Sequence, residues 1–332
     1  MRMARVMGDS SMRLVRQFAH ARSKASKTGL PSSRHSSTAA GANPFVLNSR
    51  HADFKEVQES RPTFDRSMPI ITTQSPNPAW KYGDGARIDH QTSEDLVPKE
   101  QSRQENRHTE IDPNAPDRTM IQNYQVLISG IPRPISFVST ASSDGAKNLS
   151  PFSYFQVVDH DPPILVIGFS GRQARPKDTS RNLMETGECV INIVSEHMVE
   201  AVNATSLELP HGVSEWELSG LTAAPSSTVK PERVREAIFS IEGRLLEMKE
   251  LDYGTHGTDQ AKGALAIIEA TRFWVREDAI NAEKTTIDLE KLRPLVQLGG
   301  ISYGRVRETF ELPRPRLEDE LSNKAKNLER YI

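Results

Sequence analysis

The sequence predicts a mainly β domain with a few helices, an antiparallel barrel that is closed or partly closed, behind a long polar N-terminal extension. Three observations carry this. Ile135-Ser136-Phe137-Val138-Ser139-Thr140 alternates large apolar with small polar side chains, the period-two pattern of a half-buried strand. Ile164 to Ser170 is apolar on both faces, as in a buried strand. Two long β-rich stretches, Ala237 to Met248 and Ala264 to Val275, flank the Gly254-Thr255-His256-Gly257 loop and are expected to pair antiparallel. With only one or two helices inserted among such strands, a barrel is favoured over an alternating βαβ sheet.

The extension announces itself by composition. Apolar residues make up 36% of the 332 and charged residues 26%, low in apolar content for a chain packed throughout. Residues 1–52 carry nine Lys or Arg against one acid, Asp9, with serines between, the bias of an organelle transit peptide or of a disordered basic tail. Met12, Leu14, Val15 and Phe18 fit one face of a short helix with Arg13, Arg16 and Arg22 around it. Import into mitochondria is the expectation if that helix is read, and a cytoplasmic protein otherwise. Residues 53–120 stay polar and are broken by seven prolines, so an extended segment is expected, which Trp80 would pin to the domain.

The domain is expected over 121–304. Asp144-Gly145 supplies a hairpin turn after the first strand. Ser150 to Val158 is the next strand candidate, and Asp161-Pro162-Pro163 interrupts the ladder before the buried strand. Lys177 to Gly187 reads as a helix, with Asp178 or Thr179 as N-cap and Gly187 as terminator. A strand over Cys189 to Val194 follows, then a helix over Met198 to Thr205, and a surface loop over Glu215 to Leu221. Residues 305–332 are charged and contain proline, hence a tail or an arm for a partner subunit.

Several function classes are disfavoured. A formal net charge of -2 offers no cationic surface for nucleic acid. No run of 18 apolar residues exists for a membrane-spanning helix. The single cysteine, Cys189, lies in an apolar run, where a lone thiol behaves as a small core residue. It cannot form an intramolecular disulfide, which fits a reducing compartment. There is no Gly-x-Ser-x-Gly, no His-Glu-x-x-His, no paired cysteines and no Gly-x-Gly-x-x-Gly, so neither catalytic residues nor metal ligands are assigned. His160, His211 and His256 fall in predicted loops and read as solvated or structural.

What remains is a cluster of short polar side chains at strand ends: Ser139, Thr140, Asn148, Ser150, Ser153 and Ser170, with Lys177-Asp178-Thr179 opening a helix. A helix start bearing backbone N–H groups, a hydroxyl and a lysine suits a phosphate. The plainer reading is that Thr179 caps its helix and Lys177 is solvated.

Arg133 to Thr140, Asp144-Gly145 and Asn148-Leu149-Ser150-Pro151-Phe152-Ser153-Tyr154-Phe155 together resemble the opening of the flavin reductase-like, FMN-binding split-barrel family. Asp161-Pro162-Pro163, Lys177-Asp178-Thr179 with Asn182, Val190-Ile191-Asn192, Asn203, Glu215 with Gly220-Leu221, and Leu298-Gly299-Gly300 with Tyr303 follow in that family's order over about 180 residues. The stretch from Pro78 to Gly85 also resembles an extension of fungal-type members. The proline-arginine entry, Gly130-Ile131-Pro132-Arg133-Pro134, is more compact than the family's, and Gly171 to Pro176 is an insert.

The resemblance implies an FMN-binding split β-barrel that dimerises with one FMN near each subunit boundary. By the same resemblance Ser139 and Thr140 line the flavin. Asn148, Leu149, Ser150, Pro151, Phe152 and Ser153 pass beside its ring, with backbone N–H groups facing the polar edge. Ser170, Lys177, Asp178 and Thr179 hold the phosphate or ribityl chain, and Arg172 or Arg175 of the insert would be able to replace Lys177. The implied activity is hydride transfer from NADH or NADPH to flavin. The alternatives are a flavin-binding module that stores, delivers or senses FMN without turnover, and a dimer that has lost the cofactor.

Overall fold

A computed structural model describes residues 53–86, 108–171, 176–207, 209–210, 213–251 and 263–322. The expectations for the basic residues 1–52, the insert arginines Arg172 and Arg175, His211, His256 and the Gly254 to Gly257 loop lie outside the described residues.

Helix α1 (Phe54–Glu59) and strand β1 (Ile71–Thr73) belong to the extension. Helix α2 (Met120–Gly130) opens the domain with a capping box, in which the Thr119 hydroxyl accepts from Gln122 N and the Gln122 side chain accepts from Thr119 N. Strand β2 (Arg133–Pro134) is split off from β3 (Ser136–Ala141). Strands β4 (Lys147–Phe152) and β5 (Phe155–His160) divide the single run expected over Ser150 to Val158. At the break, Tyr154 carbonyl accepts from Gly168 N at 2.7 Å, on β6 (Pro163–Phe169). A Cβ on Gly168 would stand 3.1 Å from the Tyr154 Cβ, a tight approach that a side chain at 168 would relieve only by moving Tyr154 a few tenths of an ångström.

Helix α3 (Asp178–Thr186) ends on Gly187 at φ +70°, the left-handed terminator the sequence predicts. Its N-cap is Lys177 and not Asp178 or Thr179. Strand β7 (Glu188–Ile193) and helix α4 (Val199–Ala204) follow. Over Glu215 to Leu221 the expected surface loop is instead a short helix, α5 (Glu215–Ser219), whose Glu215 and Trp216 are buried. Strands β8 (Ala223–Ala224) and β9 (Arg233–Val234) pair with each other, and β10 (Phe239–Leu251) pairs antiparallel with β11 (Gly263–Val275) as predicted. Helix α6 (Leu289–Leu292), strands β12 (Leu295–Leu298), β13 (Ser302–Arg305) and β14 (Glu308–Phe310), and helix α7 (Leu317–Ser322) complete the described chain.

The principal sheet has the order β4-β3-β7-β10-β11-β6-β5, with every neighbouring pair antiparallel. It curls around a core of Val138, Phe155, Leu165, Ile167, Leu183, Ile191, Ile241 and Ile268, leaving β4 and β5 as its edges: a split barrel. Across the barrel, Phe152 of the β4 edge meets Phe169 of β6, the strand next to the other edge, with the rings edge to face at 5.0 Å. On the other side of β3, Phe137 and Leu149 pack with Met198, Val202 and Trp216, which is how α4 and α5 come to lie over the β4 edge. Cys189 sits in the barrel core, and burial pushes its thiol up to about 12.

The extension is anchored, though not by Trp80. That indole donates to Gly85 carbonyl and packs against Tyr82, both within its own turn. The anchor is upstream. Arg305 lies over the Phe64 ring at 4.0 Å and donates to Asp65 carbonyl, while Arg293 donates to the carbonyls of Arg66 and Met68. Both arginines face the Glu196 carboxylate, Arg305 at 2.6 Å and Arg293 at 3.7 Å. Strand β1 then runs parallel to β14, so residues 305–310 hold the extension rather than forming a loose tail.

Candidate functional site

The site grows from the free edge of β4. In an antiparallel ladder every second residue turns its backbone N–H and C=O away from the neighbouring strand. On β4 the Leu149 N–H turns outward, where Glu215 Oε2 accepts it at 3.1 Å. Pro151, the next outward residue, has no N–H to offer. Of the outward positions on β4, Leu149 thus has its N–H engaged by Glu215 and Pro151 has none.

The side chains of the same strand reach α3. Asn148 Nδ2 donates to Thr179 Oγ1 at 2.8 Å and to Thr140 Oγ1 at 3.2 Å, and Asn182 Nδ2 donates to Thr140 Oγ1 at 3.0 Å. All four are buried, so these hydrogen bonds offset the cost of desolvating the groups they join, while the Asn182 Oδ1 has no protein partner among the described residues. Thr179 thus serves as Asn148's acceptor instead of capping its helix. Lys177 offers no acceptor at the N-cap, and α3 has no side-chain cap.

Around this bridge the predicted residues separate. Thr140, Asn148 and Thr179 are hydrogen-bonded together, and Leu149 joins through Glu215, whose carboxylate feels both Lys177 and Asp178. Ser150 and Pro151 are half-buried along β4, and Ser170 is exposed at the end of β6 beside the Phe152–Phe169 contact. Ser139 turns to the opposite face of β3 from Thr140, as alternation requires, and donates to Glu232 carbonyl. There it lines a cavity of about 590 Å³ that Thr140 also borders, together with Ser142, Trp216 and the Lys147–Glu232 ion pair.

Ser153 is held by a residue that the motif reading left without a role. Buried Arg133 donates through Nε to Ser153 Oγ at 3.1 Å, through Nη1 to the carbonyls of Ile128 and Ile131, and through Nη2 to Gly299 carbonyl at 2.9 Å. One guanidinium therefore ties the end of α2, the β12–β13 turn and the end of β4. A cleft of about 300 Å³ opens beside it, walled by Ile131, Arg133, Ser153, Tyr154 and Phe155.

Glu215 is the other addition. Burial pushes its carboxyl above the usual carboxylate range, against the Leu149 N–H, which favours the ionised form; Asp178 pushes the same way as burial and Lys177 opposes it. Its neighbour Ser214 accepts from Trp216 N at 3.4 Å, a helix-start signal that five residues are too few to reveal by periodicity.

Comparison with known proteins now gives this architecture its class. Residues 128–296 match the model of the flavin reductase like domain. Nitrilotriacetate monooxygenase component B of Bacillus cereus is 35% identical, with a TM-score of 0.58, covering 62% of this chain and all of that one. The 2-nitrobenzoate 2-nitroreductase of Pseudomonas fluorescens is 27% identical, with a TM-score of 0.54, covering 63% of this chain and 98% of that one. A Shewanella frigidimarina structure whose description names a split barrel domain shares the fold at 22% identity and a TM-score of 0.52. The class is that of flavin-dependent split barrels, and the chain belongs to the flavin reductase-like domain family.

The residues present fit a flavin nucleotide. A lysine and an uncapped helix start suit a phosphate, the buried Thr140, Asn148 and Thr179 groups hold that helix start against β4, and an aromatic-walled cleft lies beside Tyr154 past the end of the same strand.

Proposed function

We propose that this chain is an oxidoreductase that binds FMN along the β4 edge and takes hydride from NADH or NADPH. The observation that carries it is the Asn148–Thr179 bridge, which brings the 148–153 segment against the Lys177 helix start. In this reading Lys177 and the first turn of α3 bind the phosphate, Ser170 and Thr179 lie along the ribityl chain, and Ser150 to Ser153 flank the ring. Bound flavin supplies a hydride acceptor at N5, so the protein's part is binding, orientation and electrostatics, and no acid–base triad is required. Arg133 fixes Ser153, and through it the end of the strand that the ring would rest on. The similarity to a monooxygenase component and to a nitroreductase supports redox chemistry of this kind.

A second copy is part of the reading. Strand β5 is a sheet edge with Val157 and Val158 about 60% exposed, and α2 exposes Leu127 with Ile131 following it. Apolar edges of this size invite pairing, and a two-fold partner would cover them beside the cleft. Light scattering is expected to give a dimer, and Val158→Lys to weaken it.

The test is the visible spectrum of purified protein, reconstituted with FMN, followed by anaerobic addition of NADH and then NADPH. Bound flavin that bleaches with either donor supports the reductase. Flavin that stays oxidised with both would assign the chain to storage or sensing instead, and failure to take up FMN would remove the proposal.

A further inference from the structure

Glu215 is an unexpected occupant of a phosphate-binding neighbourhood. It is 8% exposed, and α5 presses it onto the β4 edge so that its carboxylate accepts the Leu149 N–H at 3.1 Å. The charged groups that act on it from α3 are Lys177 and Asp178, and Asp178 itself lies 3.7 Å from Arg181. From β4 comes Lys147, engaged with Glu232 at 2.5 Å; Glu200 of α4 and Glu217 of α5 are exposed to solvent. The Lys177 helix start is thus flanked by two carboxylates. A helix start and a lysine attract a phosphate, while a buried carboxylate beside them repels it in a medium that screens charge weakly.

We infer that Glu215 is a positioning residue that couples occupation of the phosphate seat to proton uptake, so that the seat accepts a phosphate dianion more tightly when Glu215 is neutral. This rests on the reading that the FMN phosphate is held at the start of α3. Burial already pushes the Glu215 carboxyl above its ordinary range, and a nearby dianion pushes it the same way, so binding and protonation favour each other. The neutral acid still accepts the Leu149 N–H through its carbonyl oxygen, so the β4 edge keeps its tether in both states. Ligands without a phosphate escape the coupling.

The experiment is titration calorimetry of the full chain with FMN at several pH values between about 5.5 and 8, in buffers of different ionisation enthalpy. The free phosphate, with a second pKa of about 6, can only release protons on binding as the dianion, so net uptake reports the protein. Wild-type protein is expected to take up a fraction of a proton with FMN toward the acid end of this range, fading toward pH 8, and none with riboflavin at any pH. The ratio of wild-type to Glu215→Gln dissociation constants for FMN is expected to rise several-fold between pH 5.5 and 8, with about tenfold as the ceiling for a carboxyl shifted by roughly one unit by a like charge. For riboflavin that ratio stays flat. Absence of proton uptake with FMN, or equal uptake with riboflavin, overturns the inference even if Glu215→Gln does not fold. Should wild-type protein bind no FMN at any pH, the FMN reading falls and this one with it; FMN binding without proton linkage overturns this one alone.

Discussion

The Asn148 side chain donates to the Thr179 hydroxyl at 2.8 Å, joining a sheet edge to the first turn of a helix 31 positions later. Both partners are buried, so the amide of Asn148 has no water to fall back on. Asn148→Ala is expected to cost about 1–3 kcal/mol of stability, because Thr179 loses its donor in a dry environment. It should also weaken FMN binding. Urea unfolding and a flavin fluorescence titration read the two effects, and wild-type values in both would remove Asn148 from the site.

Lys177→Ala should lower FMN affinity about tenfold or more, the worth of a hydrogen bond to a charged group at roughly 1.5 kcal/mol. Riboflavin affinity should change little. An equal loss for both ligands would mean that the lysine supports the fold and not a phosphate.

Glu242 offers a test of the scaffold behind β3. It is fully buried on β10, accepting from Ser227 N at 2.7 Å, Thr228 N at 2.6 Å and Trp274 Nε1 at 2.5 Å. Burial alone would raise its carboxyl, but these donors together with the Thr228 hydroxyl hold it below the ordinary value. A carboxyl depressed in the folded state contributes its full stability above the unfolded value of about 4.3, and loses it as pH falls through the folded value. Wild-type stability should therefore drop in acid below about pH 4, with a shallower drop in Glu242→Gln. The variant should also start about 2 kcal/mol lower at neutral pH, having lost charged acceptors. Parallel acid unfolding curves for the two proteins would contradict this account.

Arg305→Ala should release the extension. The substitution removes the ion pair with Glu196, the contact with the Phe64 ring and the hydrogen bond to Asp65 carbonyl together. Limited proteolysis followed by mass spectrometry is expected to cut within residues 60–75 faster than in wild type, while cleavage inside the barrel stays slow. Unchanged cutting would mean that the β1–β14 pairing suffices alone.

The parts of the fold that could be read from sequence are those written in long patterns. Strands β10 and β11 run 13 residues each, and Lys177 to Gly187 carries its own terminator, so both survive contact with the structure. The break between β4 and β5 was not legible, because Ser153-Tyr154 carries no Gly, Asn-Gly or Asp-Gly turn signal and lies inside a run of strand-like residues. It is imposed by Arg133 on one side and Gly168 on the other. The start of helix α2 is written locally, in its Thr119-x-x-Gln122 capping box. Of the residues the motif order proposes for the site, Thr140, Asn148 and Thr179 are the ones the fold brings into hydrogen-bonding contact. The facing of Ser139 away from them followed from the same alternation that identified its strand, and Glu215 could be recognised as a buried neighbour only once α5 was folded onto β4.

The pairing of β1 with β14 joins Ile71 to Glu308 across almost the whole described domain. During synthesis the early strand emerges with nothing to pair with until the last part of the chain has left the ribosome. Its partner arginines, Arg293 and Arg305, appear equally late. The extension is thus added to a barrel that has already closed, and a nascent chain halted before residue 305 should have every barrel strand in place but lack this fastening.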